Sequence, residues 1–338
     1  MLEGLFPTLG AALKIGALVV IGYILAKRGA FSKETQFGVS QIAVSFCLPC
    51  LIFESFMKDF DRVRGDRPDW WVFPIIFFAI LAVFFGLSVL ASRLFKGHPL
   101  RPEWIALTAF HNAAYLAIPL IDSIFSAPEA QAQRGTAMLY ISLIIFVYNP
   151  FLWSVPVWLL GGRGKPAEPD VPKPRREVLT PPLVAIIVSL AVGLLGWLGP
   201  IREKPLFAPL VQLVEMLSKA TVPLMLITLG GIIALMDHAE RLPKPMLAAH
   251  LLLRLVAYPA MVLLFCLLVP SLDRMWKFLF ILQFAMPPAT ALAVIAKRYG
   301  GREGTIGHTS LVSYIVAAAT IPLWLWIFSK AVGSTAGG

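Results

Sequence analysis

Charged residues are scarce in this sequence, and their scarcity excludes an ordinary soluble globular protein. Only 14% of the 338 residues are charged, whereas 58% are hydrophobic. Average soluble domains contain about 25% charged and 45–50% apolar residues. Several apolar runs exceed the roughly 18 residues that cross a bilayer as a helix. The composition therefore predicts a polytopic membrane protein embedded in a lipid bilayer.

Motifs for nucleotide binding and catalysis are also missing. The sequence has no Gly-x-x-x-x-Gly-Lys-Ser/Thr loop, no His-Glu-x-x-His pair and no Gly-x-Ser-x-Gly turn. These absences argue against direct use of ATP by this chain and against an enzyme, and we expect neither a cofactor nor a metal site. The three cysteines provide no disulfide framework. Cys47 and Cys50 lie in the apolar run "VSFCLPCLIF", so we interpret them as packing residues beside a proline rather than as a redox pair.

The positive charge is spread over short connections between the apolar runs. A net charge of +10 could suggest nucleic-acid binding, but no contiguous basic patch is present. Sixteen Lys and Arg residues fall on one side of the predicted membrane, in loops near 27–33, 93–101, 163–176, 241–244 and 297–302, and ten fall on the other. Because the richer side faces the cytoplasm, both termini are predicted to be extracytoplasmic. We expect a multi-pass protein of the cell (inner) membrane.

The sequence predicts an all-α protein with ten transmembrane spans. The predicted spans are 5–27, 35–58, 70–95, 103–126, 134–160, 181–198, 206–236, 244–270, 273–298 and 305–331. Residues 161–180 are rich in Gly, Pro and charge, and they are predicted to form a cytoplasmic linker between two five-span halves, 1–160 and 181–332. An odd number of spans in each half means that the second half enters the membrane inverted.

Proline spacing supports an internal repeat. Three pairs of prolines within predicted spans are separated by nearly equal distances, namely Pro49 and Pro223 by 174 residues, Pro119 and Pro287 by 168, and Pro150 and Pro322 by 172. Interrupted helices at corresponding places in two halves are typical of the binding site of a secondary transporter.

The stretch "FAMPPAT", Phe284 to Thr290, indicates where such an interruption lies. Pro287 and Pro288 each lack a backbone N–H, which an uninterrupted membrane helix would need. Irregular backbone at membrane depth is tolerated only where it is buried in protein or lines a wet cavity. We therefore expect spans 4 and 9 to be broken and to cross near the midplane, with free helix ends that can hold an ion.

Six stretches of the sequence resemble the auxin efflux carrier family, which includes plant auxin carriers and bacterial carboxylate permeases. The similar stretches are "FCLPCLIFESF" (46–56), "HNAAYLAIPLIDSIF" (111–125), "VYNPFLW" (147–153), "KATVPLMLITLGGIIA" (219–234), "LQFAMPPATALAVIAKRYGG" (282–301) and "TIPLWLW" (320–326). They fall in six of the ten predicted spans, and the fifth is the most specific.

The resemblance implies a fold, a function and a set of site residues. It implies two inverted five-helix repeats with crossed, broken helices 4 and 9, in a carrier of organic anions that forms homodimers. It also implies a scaffold from 1–58 and 181–236 and a moving transport bundle from 70–160 and 244–332. The family's polar residue at the first crossing corresponds to Asn112, and its crossing prolines correspond to Pro119, Pro287 and Pro288. The chain departs from the family at Ala117, where Gly is usual, and at His111, where small residues are usual.

Ionisable residues within the spans require partners or a cavity. Glu215 and Lys219 are four residues apart on one helix face, which favours an ion pair between them, and Lys219 is alternatively a ligand for a substrate carboxylate. Arg254 is suited to binding a carboxylate through two nitrogens, but it could equally neutralise Asp122 or cap a broken helix. Asp122, His111 and Glu215 are candidates for coupling transport to a cation or proton.

Two asparagines complete the candidate site. Asn112 is predicted either to contact substrate or to satisfy a free backbone group at the break, and Asn149 either lines the same cavity or stabilises a kinked helix. The sequence thus predicts a secondary transporter of small organic anions, such as carboxylates or auxin-like acids, that works by alternating access. The alternatives are a sodium- or proton-coupled transporter of the same fold and, with less support, a channel, a sensor or an intramembrane enzyme.

Overall fold

The computed structural model describes residues 5–161, 179–236 and 240–333, so most of the predicted linker 161–180 lies outside the described residues. The described parts of the chain are helical and contain no β-strand. Their α-helices are α1 (Leu5–Lys27), α2 (Lys33–Ile42), α3 (Leu48–Asp66), α4 (Val72–Ala91), α5 (Arg101–Ala109), α6 (Ala117–Ile124), α7 (Gln131–Leu160), α8 (Pro181–Leu194), α9 (Leu198–Glu203), α10 (Ala208–Leu235), α11 (Lys244–Leu252), α12 (Tyr258–Leu268), α13 (Arg274–Ala285), α14 (Ala291–Tyr299) and α15 (Glu303–Gly333).

Six helical segments of the described chain are long and apolar enough to cross a membrane. They are Lys33–Asp66, Val72–Phe95, Pro128–Leu160, Pro205–Leu235, Lys244–Leu268 and Glu303–Val332. Many of their large apolar side chains are exposed, for example Leu94 at 81% and Leu268 at 71%. Such a surface is stable against lipid tails rather than against water. The chain is therefore a multi-pass membrane protein.

The remaining predicted spans take three forms. The predicted span 5–27 is the single helix α1, and the predicted span 181–198 contains the shorter helix α8. The predicted span 103–126 is divided into α5 and α6, and the predicted span 273–298 is divided into α13 and α14. Both divided segments are thus helical at their ends and irregular in the middle.

Two small residues allow α1 and α10 to pack backbone against backbone. A Cβ atom added at Gly22 would lie 2.0 Å from the carbonyl oxygen of Ile227, and one added at Gly230 would lie 1.9 Å from that of Val19. No real side chain fits at such distances. The two helices therefore approach as closely as small residues permit in membrane proteins.

Two helices widen into π-helical turns next to prolines. Residues Ala43–Cys47 precede Pro49, and residues Leu253–Ala257 precede Pro259. A proline removes the N–H that would bond to the carbonyl four residues earlier. For Pro259 that carbonyl belongs to Leu255, and the indole N–H of Trp324 donates to it over 2.8 Å. The wider turn thus exchanges a helical hydrogen bond for one that joins α15 to the turn between α11 and α12.

The interior around the divided helices is packed with aromatic rings. Phe73 stacks on Phe280 with ring centroids 5.0 Å apart, and Phe84 stacks on Tyr258 at 4.4 Å. Each pair joins α4 to a helix of the second half of the chain. Each aromatic pair stabilises the fold by about 0.5–1.5 kcal/mol beyond the contribution of its buried apolar area. The pair of Phe73 and Phe280 thereby fixes the divided helix α13 against α4.

Candidate functional site

The two divided helices meet at their irregular segments, 110–116 and 286–290, and this contact is the crossing. The main-chain N–H of Asn112 donates to the carbonyl oxygen of Pro287 over 2.8 Å, and the N–H of Ala289 donates to that of Phe110 over 3.1 Å. Together these bonds form an isolated antiparallel bridge between His111 and Pro288. Neither proline could donate such a bond, so the sequence "MPPA" pairs through the groups that it retains. The two segments thus satisfy each other's backbone inside the protein.

Pro119 has a different place from the two prolines of "MPPA". The irregular segment begins at Phe110, and α6 starts at Ala117, so Pro119 is the third residue of a new helix. The first N–H groups of a helix have no partner within it, so a proline there costs no hydrogen bond. Pro119 is buried in the first turn of α6 rather than at the crossing itself.

Asn112 lies at the centre of the crossing. Its side-chain Nδ2 donates to the phenol oxygen of Tyr314 on α15, and that phenol donates to the carbonyl of Pro288 over 3.3 Å. Its Oδ1 accepts from the N–H of Leu116, which precedes α6, over 3.3 Å. Asn112 is 2% exposed. Its amide therefore satisfies backbone at one break and links to the other break through Tyr314.

His111 and Gln283 form a second link between the two breaks. His111 Nε2 donates to Gln283 Oε1 over 2.9 Å, while Gln283 Nε2 donates to the carbonyl of Ala113 over 3.1 Å. The phenol of Tyr148 on α7 donates to the main-chain carbonyl of His111. Because the Gln283 oxygen can only accept, this geometry places a proton on His111 Nε2. His111 is thus held as part of the crossing.

Arg254 binds the carbonyl end of α13. Its Nε donates to the carbonyl of Met286 over 2.9 Å, and one terminal nitrogen lies 3.3 Å from the carbonyl of Gln283. The side chain is fully buried and lines none of the cavities described below. Of the two non-substrate roles considered for Arg254, the contacts therefore agree with capping of a broken helix and not with neutralisation of Asp122.

A cavity of about 140 Å³ lies beside the crossing. Its walls come from both irregular segments, from α7, from the π-helical turn before α3 and from the start of α8. The lining residues are Val44, Leu48, His111, Asn112, Ala113, Ala114, Tyr115, Ile145, Tyr148, Asn149, Leu152, Trp153, Thr180, Pro182, Ala289, Thr290 and Ala291. None of these residues is Lys, Arg, Asp or Glu. A charged ligand in this cavity would therefore interact with the dipoles of backbone and polar side-chain groups rather than with an opposite full charge.

Free backbone N–H groups near two helix starts lie at this cavity, together with polar side chains such as Asn149 and Thr180. The helices α6 and α14 both begin beside it, and the N–H groups of Ala114, Tyr115, Thr290 and Ala291 donate to no other described residue. A helix N-terminus carries a partial positive charge of about half an elementary charge. Two such ends at one cavity form an anion-binding arrangement that requires no charged side chain.

A larger vestibule of about 650 Å³ adjoins the cavity. The two share Val44, Tyr115, Trp153, Thr290 and Ala291 in their walls. The outer part of the vestibule carries two lysines and two acids, Lys33, Glu34, Lys297 and Glu303. These residues lie on the side of the predicted membrane that is richer in Lys and Arg.

Tyr115 and Asn149 connect the walls of the cavity. The phenol of Tyr115 lies 2.7 Å from the hydroxyl of Ser40 on α2. Asn149 Nδ2 is 3.4 Å from the hydroxyl of Thr180, at the start of α8. Asn149 therefore lies in the wall of the cavity and contacts the residue that precedes α8.

The structure does not join Glu215 to Lys219 by an ion pair. Glu215 instead lies 2.8 Å from Lys58 on α3, and Lys58 is also 2.6 Å from Glu54. The predicted pair on one helix is thus replaced by a cation from another helix, which links α3 to α10. Lys219 is exposed and lines neither the cavity nor the vestibule.

Asp122 forms an ion pair with Arg134 at the start of α7. Arg134 approaches Asp122 Oδ1 to 2.6 Å, and both side chains are about one third exposed. Asp122 contributes to neither the cavity nor the vestibule. No group of three or more His, Cys, Asp or Glu side chains able to hold a metal occurs within the described ranges.

Sequence reasoning did not single out several polar residues that build the site. Tyr314, Gln283, Tyr115 and Ser40 all hydrogen-bond at the crossing or at the cavity mouth. Each is a polar residue within an apolar run, and this position is the feature of the sequence that could have indicated a site residue. Uncharged residues of this kind are common in membrane helices, however, so the signal alone is weak.

The apolar helices define a multi-pass membrane protein, and the comparison with known families identifies it as a membrane transport protein. The chain belongs to the membrane transport protein family, whose model matches residues 7–325, and this confirms the resemblance to the auxin efflux carrier family. The family is one of transporters and not of enzymes.

Individual relatives agree with this assignment. A protein of Rhizobium meliloti called "Putative malonate transporter" is 23% identical over 330 residues, which cover 94% of this chain and 95% of the relative. The Arabidopsis thaliana protein PIN-LIKES 7 is 23% identical over 159 residues, covering 45% of this chain and 40% of that protein. PIN-LIKES 5, also from Arabidopsis thaliana, is 26% identical over 162 residues, again covering 45% of this chain and 40% of the relative.

Proposed function

We propose that this protein is a secondary transporter of small organic anions and that the cavity beside the crossing is its substrate site. The observation that carries the proposal is the convergence of two half-helix N-termini, α6 and α14, on a cavity without charged side chains. Free backbone N–H groups attract an anion and can release it again, because no full opposite charge holds it. Reversible binding of this kind is what a carrier requires.

The size of the cavity favours small carboxylates. A volume of about 140 Å³ corresponds to roughly five water molecules at about 30 Å³ each, so it suits a small substrate. Two separate N-termini match the two carboxylates of a short dicarboxylate. The relative named for malonate transport is consistent with this choice. Leu48, Ile145 and Trp153 provide an apolar wall for a carbon skeleton.

An inverted repeat would explain how the two breaks come to face one cavity. The order of helices in the first half recurs about 172 residues later, as expected for paired repeats. The breaks follow α5 and α13, and the next long helices are α7 and α15. In our proposal ten spans form two inverted five-helix repeats, 1–160 and 181–332. Helices 4 and 9 are then the crossed, broken pair.

Alternating access in our proposal comes from motion of a bundle against a scaffold. The scaffold comprises 1–58 and 181–236, and the bundle comprises 70–160 and 244–332. The bond between Ser40 and Tyr115 would join the two units at the cavity mouth. Because the vestibule opens on the side richer in Lys and Arg, the conformation described here would face the cytoplasm. In the same orientation both termini are extracytoplasmic, and we place the protein in the inner membrane as part of the proposal.

The dimeric state and the coupling ion stay predictions. A homodimer is implied by the family resemblance, and coupling to sodium or protons is the alternative to simple anion transport. A channel of the same fold would also conduct anions through the crossing. Saturable exchange of labelled substrate distinguishes a carrier from a channel.

The proposed function is tested by binding and by counterflow with purified protein. Malonate, succinate, acetate and an indole acid are compared for their effect on the thermal unfolding midpoint, since a ligand of the folded state raises it. We expect the dicarboxylates to raise it most and labelled malonate to exchange in proteoliposomes. A protein that binds none of these acids, or that passes them without saturation, would contradict the proposal.

A further inference from the structure

Arg254 is a buried cation without an acidic partner. Its side chain is fully buried, and the ion pairs among the described residues do not include it. Two of its nitrogens bond to the carbonyls of Met286 and Gln283, and Nη1 has no hydrogen-bond partner. A buried charge normally requires an opposite charge or several hydrogen bonds. Here backbone carbonyls at a helix end provide most of the compensation.

The position of these carbonyls is the important feature. Helix α13 ends at Ala285, and the N–H of the next residue, Met286, donates to the carbonyl of Gln283 over 3.2 Å. The carbonyl of Met286 lies just beyond the helix, at the negative end of the helix dipole. In transporters with broken helices, such carbonyl ends can coordinate a sodium ion. In this chain the guanidinium of Arg254 already occupies that end.

At the other break, the described hydrogen-bond donors include no equivalent cation. The carbonyl of Phe110, at the end of α5, accepts from the N–H of Ala289, and the carbonyl of His111 accepts from the phenol of Tyr148. Both donors are neutral. Only the α13 end therefore has a full positive charge, and it lies on the segment whose next residues, Ala289 to Ala291, line the cavity.

We propose that Arg254 is a resident cation that takes the place of an exchangeable sodium ion at the carbonyl end of α13. An arginine keeps its charge at any physiological pH and cannot leave the site. It would hold the crossing in its binding shape and contribute a fixed positive charge near the anion. Arg254 is then a positioning residue, and substrate binding needs no sodium. The claim that substrate binds without sodium rests on the proposed carrier function. The claim that Arg254 takes the place of a sodium ion at the end of α13 does not.

Chemical rescue of a truncated variant tests the occupation of this site. The thermal unfolding midpoint of purified Arg254→Ala is measured in sodium chloride, guanidinium chloride and choline chloride at equal, low, non-denaturing concentrations. We expect a lower midpoint than in the wild type, and we expect guanidinium or sodium, but not choline, to restore part of the loss. The wild type should respond equally to all three salts.

Lys277 provides a matched control. It is also buried, and its Nζ donates to the carbonyl of Pro270, away from the crossing. Lys277→Ala should lose stability without a selective recovery in guanidinium or sodium. Equal recovery of both variants would show a general salt effect and would overturn the proposal. A folded Arg254→Ala protein without any selective recovery would overturn it as well.

Wild-type protein and a conservative variant keep the test decisive if Arg254→Ala does not fold. Malonate affinity of the wild type and of Arg254→Lys is compared in sodium chloride and in choline chloride. We expect the two salts to give affinities within about twofold for each protein. A wild type whose malonate affinity or thermal midpoint rises selectively with sodium would overturn the proposal. If malonate does not bind at all, the substrate assignment fails, while the thermal response to sodium still decides the role of Arg254.

Discussion

Asn112 and Tyr314 lie 202 positions apart in the sequence, and the side-chain amide of Asn112 donates a hydrogen bond to the phenol oxygen of Tyr314. The Tyr314 phenol in turn donates a hydrogen bond to the carbonyl of Pro288, and the Asn112 side-chain oxygen accepts one from the N–H of Leu116. One amide thus orients both irregular segments. Its donor side and its acceptor side are both occupied, which explains why an uncharged residue is suited to this position.

Replacing Asn112 by Asp should weaken substrate binding strongly. The aspartate keeps an acceptor for Leu116, but it loses the donor to Tyr314 and adds a negative charge to a cavity that has no charged side chain. We expect at least a tenfold loss of malonate affinity, about 1.4 kcal/mol. Titration calorimetry on the purified protein measures this effect.

Two further variants separate charge from hydrogen bonding at this position. Asn112→Ala removes both hydrogen bonds without adding charge, and Tyr314→Phe removes only the phenol. Both should bind malonate more tightly than Asn112→Asp does. Wild-type affinity in the aspartate variant would show that the anion does not approach Asn112.

A large side chain at Ala291 should block the site. Ala291 is the first residue of α14 and lines both the cavity and the vestibule. Ala291→Phe places a ring at their junction, so we expect malonate exchange to fall at least tenfold. Ala318→Phe is the control, because Ala318 is exposed on α15 and lines neither space. Equal exchange by both variants would place the substrate path elsewhere.

Alanine at Gly22 or Gly230 should destabilise the protein. Each new Cβ would overlap a backbone carbonyl of the partner helix, at 2.0 Å or 1.9 Å, so α1 and α10 must separate. Overpacking of this kind costs about 1–3 kcal/mol. The thermal unfolding midpoint in detergent measures the loss.

Gly16 offers a control on the same helix. A Cβ at Gly16 would meet nothing within 4 Å. Since alanine is favoured over glycine in a helix by about 1 kcal/mol, Gly16→Ala should leave the midpoint unchanged or raise it. A drop at Gly16 as large as that at Gly22 would show that the helix packing described here is wrong.

Proline positions predicted one break more accurately than the other. Pro287 and Pro288 lie within the irregular segment that follows α13, as their missing N–H groups require. Pro119 lies instead in the first turn of α6, ten residues after the end of α5 at Ala109. A proline is tolerated both in a break and at a helix start. The residue type therefore indicates that a helix end is near without giving its exact position.

Partners of charged residues could not be predicted from spacing alone. The four-residue separation of Glu215 and Lys219 favoured a pair on α10, but Lys58 from α3 lies next to Glu215 instead. Pairs within one exposed helix are worth only about 0.3–0.5 kcal/mol, so tertiary packing easily replaces them. For Arg254 the sequence left a substrate carboxylate, Asp122 and the end of a broken helix open as partners, because residue types do not show which backbone carbonyls are free.

Asp122 provides the last test, since it was a sequence candidate for coupling to a cation or proton. Its ion pair with Arg134 is about one third exposed on both sides, so Asp122→Asn should cost less than about 1 kcal/mol of stability. Neither residue lines the cavity or the vestibule. We therefore expect malonate uptake by Asp122→Asn to respond to pH and to sodium as the wild type does, when measured in proteoliposomes. Arg134→Gln breaks the same pair from the other side and should behave identically. If only Asp122→Asn changed the response of uptake to pH or sodium, the carboxylate itself would have a coupling role beyond this ion pair.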